Sequence, residues 1–184
     1  MKRNVFSTIT TKAGDTEKSV QWYRAQISKL GSLSKNKIMS GGSLVTNIEP
    51  GTMYLFTYDP KFKGSLKYYD TFPLVLPFRK QPNGFLGLNL HYLPYLLRIK
   101  LLGHLKEIDT NKEDEKMILS WRILESSSKL NLIKPCVKHY LNQHVQSRFL
   151  KINEDDWVTA SQLPIEMFEK ANKQAVWTDS RKYV

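Results

Sequence analysis

The chain has a single cysteine, Cys136, in 184 residues. That excludes an internal disulfide framework and any zinc site built from several thiolates. Long apolar runs are missing too, so no segment reads as a membrane-spanning helix, and Lys2-Arg3 is not followed by the apolar stretch of a secretory signal. A cytosolic life, at least during synthesis, is the expectation. Acidic residues are scarce: 17 Asp and Glu face 28 Lys and Arg, for a formal charge of +11. A balance so basic favours a polyanionic partner, nucleic acid first and an anionic membrane surface second. The alternative is a basic structural protein whose charge serves only solubility.

The marks of catalysis are also absent. There is no glycine-rich phosphate loop ending in Lys-Ser/Thr, no nucleophile elbow, and no specific histidine–cysteine arrangement. A metal-dependent nuclease needs two or three acids with a lysine or histidine around a divalent ion. Asp59, Asp70 and Lys61 can be imagined in that role, but each reads better as a turn residue or an inter-strand ion pair. His91 has no second ligand at helical or strand spacing, so it reads as a hydrogen-bonded structural histidine. His139 and His144 are five apart and do not stack on one helix face. Cys136 reads as a buried structural thiol. The chain is therefore expected to be no enzyme and to carry no metal or cofactor.

What is present is hydrophobic and aromatic residue enough, 41% and 11%, to bury a core. One α+β domain is expected over residues 44–184, preceded over residues 1–43 by a basic arm, a helix and a linker. The first fourteen residues read as a flexible arm. A helix over residues 16–30, capped by Asp15, would dock through Val20, Tyr23, Ile27 and Leu30. The basic Gly/Ser stretch over residues 31–43 reads as a mobile linker. Strands are expected over residues 52–58, 72–78 and 85–91, the second bent or at an edge because of Pro73 and Pro77, with a hairpin at Asn83-Gly84. From Pro94 the period turns helical, with Leu97, Leu101, Leu105 and Ile108 on one face. Further helices are expected over residues 113–125, 135–146 and 165–173, and a returning strand over residues 148–152. The acid run Glu154-Asp155-Asp156 reads as a loop and helix start, and the tail around Trp177 as docked. The sum is a small antiparallel sheet or SH3-like half-barrel flanked by N-terminal and C-terminal helices.

Positive charge is concentrated early. Residues 1–50 carry eight Lys/Arg against three acids and residues 51–100 seven against two, whereas residues 151–184 carry five against six. Charge reading alone nominates Lys2, Arg3, Lys12, Lys18, Lys29, Lys35, Lys37, Lys61, Lys63, Lys67, Arg79 and Lys80 as phosphate contacts, with Trp22 as a stacking ring. For Trp22 the plainer use is packing against another subunit or a returning loop. For the Lys61–Lys67 run, the plainer use is a solvated loop whose neighbours Tyr68 and Tyr69 turn inward.

The strings Met53-Tyr-Leu-Phe-Thr-Tyr-Asp-Pro-Lys61, Tyr68-Tyr-Asp-Thr-Phe-Pro-Leu-Val-Leu76 and Gly84-Phe-Leu-Gly-Leu-Asn-Leu-His-Tyr-Leu-Pro94 are distinctive. Together with Ser147-Arg-Phe-Leu and Trp177-x-Asp-Ser-Arg-Lys, they make residues 37–182 resemble the DNA end protector proteins of T-even-type bacteriophages. The head-completion proteins of the same phages come second. The resemblance implies a late-made virion protein, synthesised in the host cytoplasm, that binds the ends of packaged double-stranded DNA at the head–tail junction and shields them from host exonuclease. Phage head or neck proteins would be its other partners; no membrane and no small-molecule substrate is implied. The alternative role is a structural head-completion, neck or baseplate protein that binds other virion proteins rather than DNA. The resemblance marks no DNA-contacting residue.

Overall fold

A computed structural model describes residues 4–109 and 131–183. The strands are β1 (Ser43–Val45), β2 (Met53–Leu55), β3 (Tyr69–Asp70), β4 (Leu74–Gln81), β5 (Gly84–Asn89), β6 (Val137–Leu141), β7 (Phe149–Ile152) and β8 (Phe168–Glu169). The helices are α1 (Val5–Ala13), α2 (Val20–Ser28), α3 (Lys35–Met39), α4 (Tyr95–Asp109), α5 (Trp157–Gln162) and α6 (Lys173–Arg181). Six strands form one antiparallel sheet in the order β1-β7-β2-β4-β5-β6, and β3 pairs with β8 in a separate ribbon. The protein is thus α+β, a small antiparallel sheet with flanking helices, as its patterning predicts.

Alternation along the strands sends side chains to two cores, one on each face of the sheet. Met53, Leu55, Leu74, Leu76 and Leu88 meet Phe6, Ile9, Tyr23, Ile27 and Ile38 from the N-terminal helices, and Leu101, Leu105 and Ala160 from α4 and α5. The other face carries Tyr54, Phe56, Tyr58, Val75, Phe85, Tyr140 and Phe149. Phe56 is its hub, meeting Tyr58, Phe85, Tyr140 and Phe149 edge-on at 5.0–6.3 Å. A bridge between Tyr58 and Val145 brings the chain after β2 beside the chain after β6, so the sheet curls over this aromatic core. Each large apolar side chain fully buried here contributes about 1.5–3 kcal/mol.

Several expectations are corrected. The flexible arm is in fact α1 from Val5 onward: the Asn4 side chain accepts from the Ser7 N–H at 2.7 Å, and Phe6, Ile9 and Ala13 are buried. Its Thr- and Ser-rich sequence has poor helix propensity, and tertiary packing supplies what propensity lacks. The next helix begins at Val20, capped by Ser19 rather than Asp15. The mobile linker contains α3, capped by Ser34 and anchored by Ile38. Of the two alternatives for β4, an edge place is ruled out, since it lies between β2 and β5, while the irregular one holds: Pro73 lies before it, and Pro77 sits at its register shift, where the missing N–H is tolerated.

The helix expected over residues 135–146 is β6, bracketed by short 3-10 turns. Val137-Lys-His-Tyr-Leu141 carries the β-branched and aromatic residues of a strand, and it pairs with β5 through Gly87↔Lys138, Leu86↔His139 and Phe85↔Tyr140. The helix expected over residues 165–173 is instead β8 followed by Lys170 at φ 67°, with Asn172 capping α6. The returning strand is β7, between β1 and β2. The helix expected over residues 113–125 lies outside the described residues.

The β5–β6 pairing depends on one missing methyl group. A Cβ on Gly84 would stand 1.9 Å from the Tyr140 carbonyl oxygen and 3.1 Å from the Leu141 Cα, both backbone atoms. Gly84→Ala is therefore expected to cost about 1–3 kcal/mol by forcing the strands apart. The check is the urea midpoint, and an unchanged midpoint would mean the two strands are not tightly held.

Candidate nucleic-acid interface

The nominated cations do not form one surface. Lys2 and Arg3 lie outside the described residues. Lys12 closes α1, and Lys29 caps α2. The Lys18 ammonium lies 5.9 Å from the Trp22 ring, while Trp22 packs partly on the main core and edge-on to Tyr23. On α3, Lys35 lies over Phe72 and Lys37 donates to the Leu30 carbonyl. Arg79 and Lys80 are exposed near the tip of the β4–β5 hairpin. Lys80 shares with Arg148 an open recess of about 710 Å³.

The loop over residues 59–68 sorts its three lysines. Lys63 pairs with Asp59 at 2.9 Å, and Lys67 pairs with Asp179, whose carboxyl is held down at about 2 by Lys182 and Lys67. The Lys170 ammonium donates to the carbonyls of Lys63, Gly64 and Leu66, which pins the loop to the β8 region. Lys61 alone of the three has no carboxylate partner among the described residues; it lies over the Phe62 ring. Phe62 is 62% exposed.

Between this loop and β6 lies a cavity of about 360 Å³. The loop meets the chain after β6 through Asp59 N–H to the His144 carbonyl at 3.0 Å and the His144 ring to the Asp59 carbonyl at 2.9 Å. Tyr68 and Tyr69 line one side, and Lys138 and His139 the other, with Tyr92 and Tyr140 beneath. The Lys138 ammonium sits 3.9 Å from the Tyr92 ring centroid. It is half-buried and has no carboxylate within ion-pair reach among the described residues, so desolvation lowers its pKa. Burial pushes the Tyr92 and Tyr140 phenols well above their usual range, so both keep their protons at neutral pH.

The polar groups under the cavity are structural. Asp70 is 4% exposed. One of its oxygens accepts from Asn89 Nδ2 at 3.1 Å and from His91 Nδ1 at 2.7 Å; the other accepts from the N–H groups of Phe72 at 3.0 Å and Met167 at 3.4 Å. Asn89 Nδ2 also donates to the Tyr140 hydroxyl, and the Asn89 amide oxygen accepts the His91 N–H. Asp70 and Asp59 are thus both engaged within the fold, Asp59 by the Lys63 ammonium and Asp70 by Asn89, His91 and two backbone N–H groups. His91 is a buried hydrogen-bonded histidine. Burial lifts the Cys136 thiol to about 12, which leaves it protonated.

Lys138, His139 and Arg148 were not singled out in the sequence as lining these recesses. The signal was in reach: as a strand, Val137–Leu141 puts Lys138 and Tyr140 on one face, beside the aromatic core.

Fold and surface together define a basic α+β protein built on a small antiparallel sheet with aromatic and lysine-lined recesses. The chain belongs to the family of the phage T4 terminal DNA protecting protein, whose family model matches residues 3–180. The resemblance read from the motif strings is thereby borne out. No curated protein and no solved structure matches the chain. Among the described residues, no helix is long and apolar enough to cross a membrane.

Proposed function

We propose that this protein binds the ends of packaged linear double-stranded DNA at the head–tail junction of a phage particle and shields them from host exonuclease. Family membership over residues 3–180 carries the reading. The formal charge of +11 supports it, as do Lys61 and Lys138, which face solvent or a cavity without a carboxylate partner among the described residues. The mechanism is steric. Lysines and arginines neutralise phosphate, and the folded domain then occupies the terminus where a processive nuclease would load. Contacts of this kind position the protein without reading bases, so sequence specificity is low. Head or neck proteins hold the complex at the portal end.

The test is blunt linear duplex challenged with a processive exonuclease, with covalently closed circles as competitor. Protection that survives excess circles is the expected result. Protection abolished by circles reduces the activity to general DNA binding, and none at low salt moves the role to a structural one. Affinity should fall with salt, log K changing by about −0.9 per log unit of salt for each phosphate engaged. Replacing Lys12, Lys29, Lys37 or Lys80 by alanine should flatten that slope by about 0.9 wherever the lysine meets phosphate. Titrations from low to moderate salt measure this, and a slope untouched by every substitution moves the interface away from these residues.

A further inference from the structure

We propose that the cavity between β6 and the loop over residues 59–68 receives the 5′-terminal nucleotide of one DNA strand, base against the loop's aromatic rings and terminal phosphate on Lys138 and Lys61. This rests on the DNA-end reading and says how an end is told from an interior stretch. Three observations carry it.

The first is size. About 360 Å³ lies at the small end of ligand cavities and suits one nucleotide, not a duplex. A continuing backbone has to enter and leave such a recess, whereas a strand terminus only has to enter.

The second is unpaired charge. Of the lysines on the loop and β6, Lys63 and Lys67 are matched by Asp59 and Asp179 and do not line the cavity. Lys61 and Lys138 have no carboxylate partner among the described residues, and Lys138 is also partly desolvated against Tyr92. An ammonium held out of water with no counter-charge gains most from an anion delivered to it, and a terminal phosphate carries more charge than an internal phosphodiester. Asp70 is the opposing charge at the floor. Its oxygens are engaged by Asn89, His91, Phe72 and Met167, which leaves the cavity's cations to the ligand.

The third is ring surface. Phe62 at 62% and Leu66 at 39% exposure stand on the loop beside Lys61, an apolar pair left largely uncovered by the described residues. Tyr68 and Tyr69 line the same cavity and are only half-buried. Base-on-aromatic stacking is tolerant of sequence, as a protein meeting any terminus requires.

The experiment uses the full chain and blunt duplexes carrying either a 5′-phosphate or a 5′-hydroxyl, with 5-iodouracil at the 5′-terminal or the 3′-terminal position for photocrosslinking. Wild-type protein should bind the phosphorylated end about tenfold more tightly, the equivalent of one added charge-assisted contact. Lys138→Met should erase that preference while salt-dependent binding of duplex remains. Phe62 is exposed, so Phe62→Ala should fold normally and should lose the 5′-terminal crosslink to the loop. Equal affinity for both ends, or crosslinks that map outside the cavity or come only from the 3′ terminus, overturns the proposal while end protection stands. Failure to protect ends over closed circles overturns the DNA-end reading itself, and the cavity assignment with it.

Discussion

Arg98→Met is expected to cost about 3–5 kcal/mol, enough to unfold a domain of ordinary marginal stability. Arg98 is fully buried on α4, and all three of its guanidinium nitrogens donate. It donates to the carbonyls of Leu93 at 2.7 Å, Ser161 at 2.8 Å and His91 at 3.3 Å, and pairs with Glu166 at 2.6 Å. Its guanidinium lies 4.6 Å from the Tyr95 ring centroid and 5.6 Å from that of Trp177. Methionine fills much of the volume but removes the donor to the Leu93 and Ser161 carbonyls, leaves the His91 carbonyl to Trp177 alone, and leaves the buried Glu166 carboxylate only the longer contacts of Lys173 and Tyr95. Trp177 fluorescence across a urea gradient reads the loss. A change below about 1 kcal/mol, the range of surface pairs, would show that the network is not what holds α4 to the C-terminal segment. Arg98→Met combined with Glu166→Met should recover part of the loss, because the uncompensated charge goes with it.

The same pair sets an acid limit. Burial alone would raise the Glu166 carboxyl, but Arg98, then His91 and Lys173, overcome it and hold it below the ordinary 4.5. A folded pKa below the unfolded one stabilises fully above about 4.5, and the stabilisation is lost as pH falls through the lower folded value. Asp179 acts with the same sign, but it is solvent-screened, so added salt should remove its share and leave that of Glu166. Asp156, raised by burial, acts with the opposite sign. In Arg98→Met the Glu166 part of the acid limb should vanish. Urea midpoints between neutral pH and pH 3, with and without salt, separate the three.

Asp70→Ala is the second large loss expected, about 3 kcal/mol or more, because it strips an acceptor from four donors at once. The Phe72 N–H closes the turn after β3 and the Met167 N–H ties β3 to the segment before β8, while Asn89 ends β5 and His91 follows it. The effect should be on stability and on the cavity above. Asp70→Asn should be little better, since its amide presents a second donor to partners that already donate. A mutant with an unchanged melting curve would refute the structural assignment.

The sheet was legible where residue type and punctuation agreed. Aromatic and aliphatic residues alternate through Met53–Tyr58, and Asn83-Gly84 stands beside the observed turn between β4 and β5. Legibility failed where local propensity and tertiary context disagree. The N-terminal Ser/Thr run is a helix because Phe6 and Ile9 find the main core, not because its residues favour one. Val137–Leu141 falls inside the helix expected over residues 135–146, and its strand state depends on Phe85 and Leu86 fifty residues earlier in the chain. The cavity was unreadable for the same reason: Lys138 became a candidate only once β6 stood opposite the lysine loop. The loop lysines were visible, but which of them are neutralised depends on Asp179, far along the chain.

The position of β7 has a kinetic consequence. It lies between β1 and β2, so β1 has no partner until Ser43 meets Lys151, and β2, which pairs with β4 on its other side, keeps one edge open until Met53 meets Ile152. Contacts so distant along the chain make for slow folding. During synthesis, β1 emerges from the ribosome unpaired and β2 with one open edge, and both stay so until Phe149–Ile152 arrives. A nascent chain arrested before Phe149 would be sticky and protease-sensitive, and one arrested well beyond Ile152 would be protected. The β2-β4-β5 part of the sheet needs only neighbouring chain, and the β7 closure that completes it comes late.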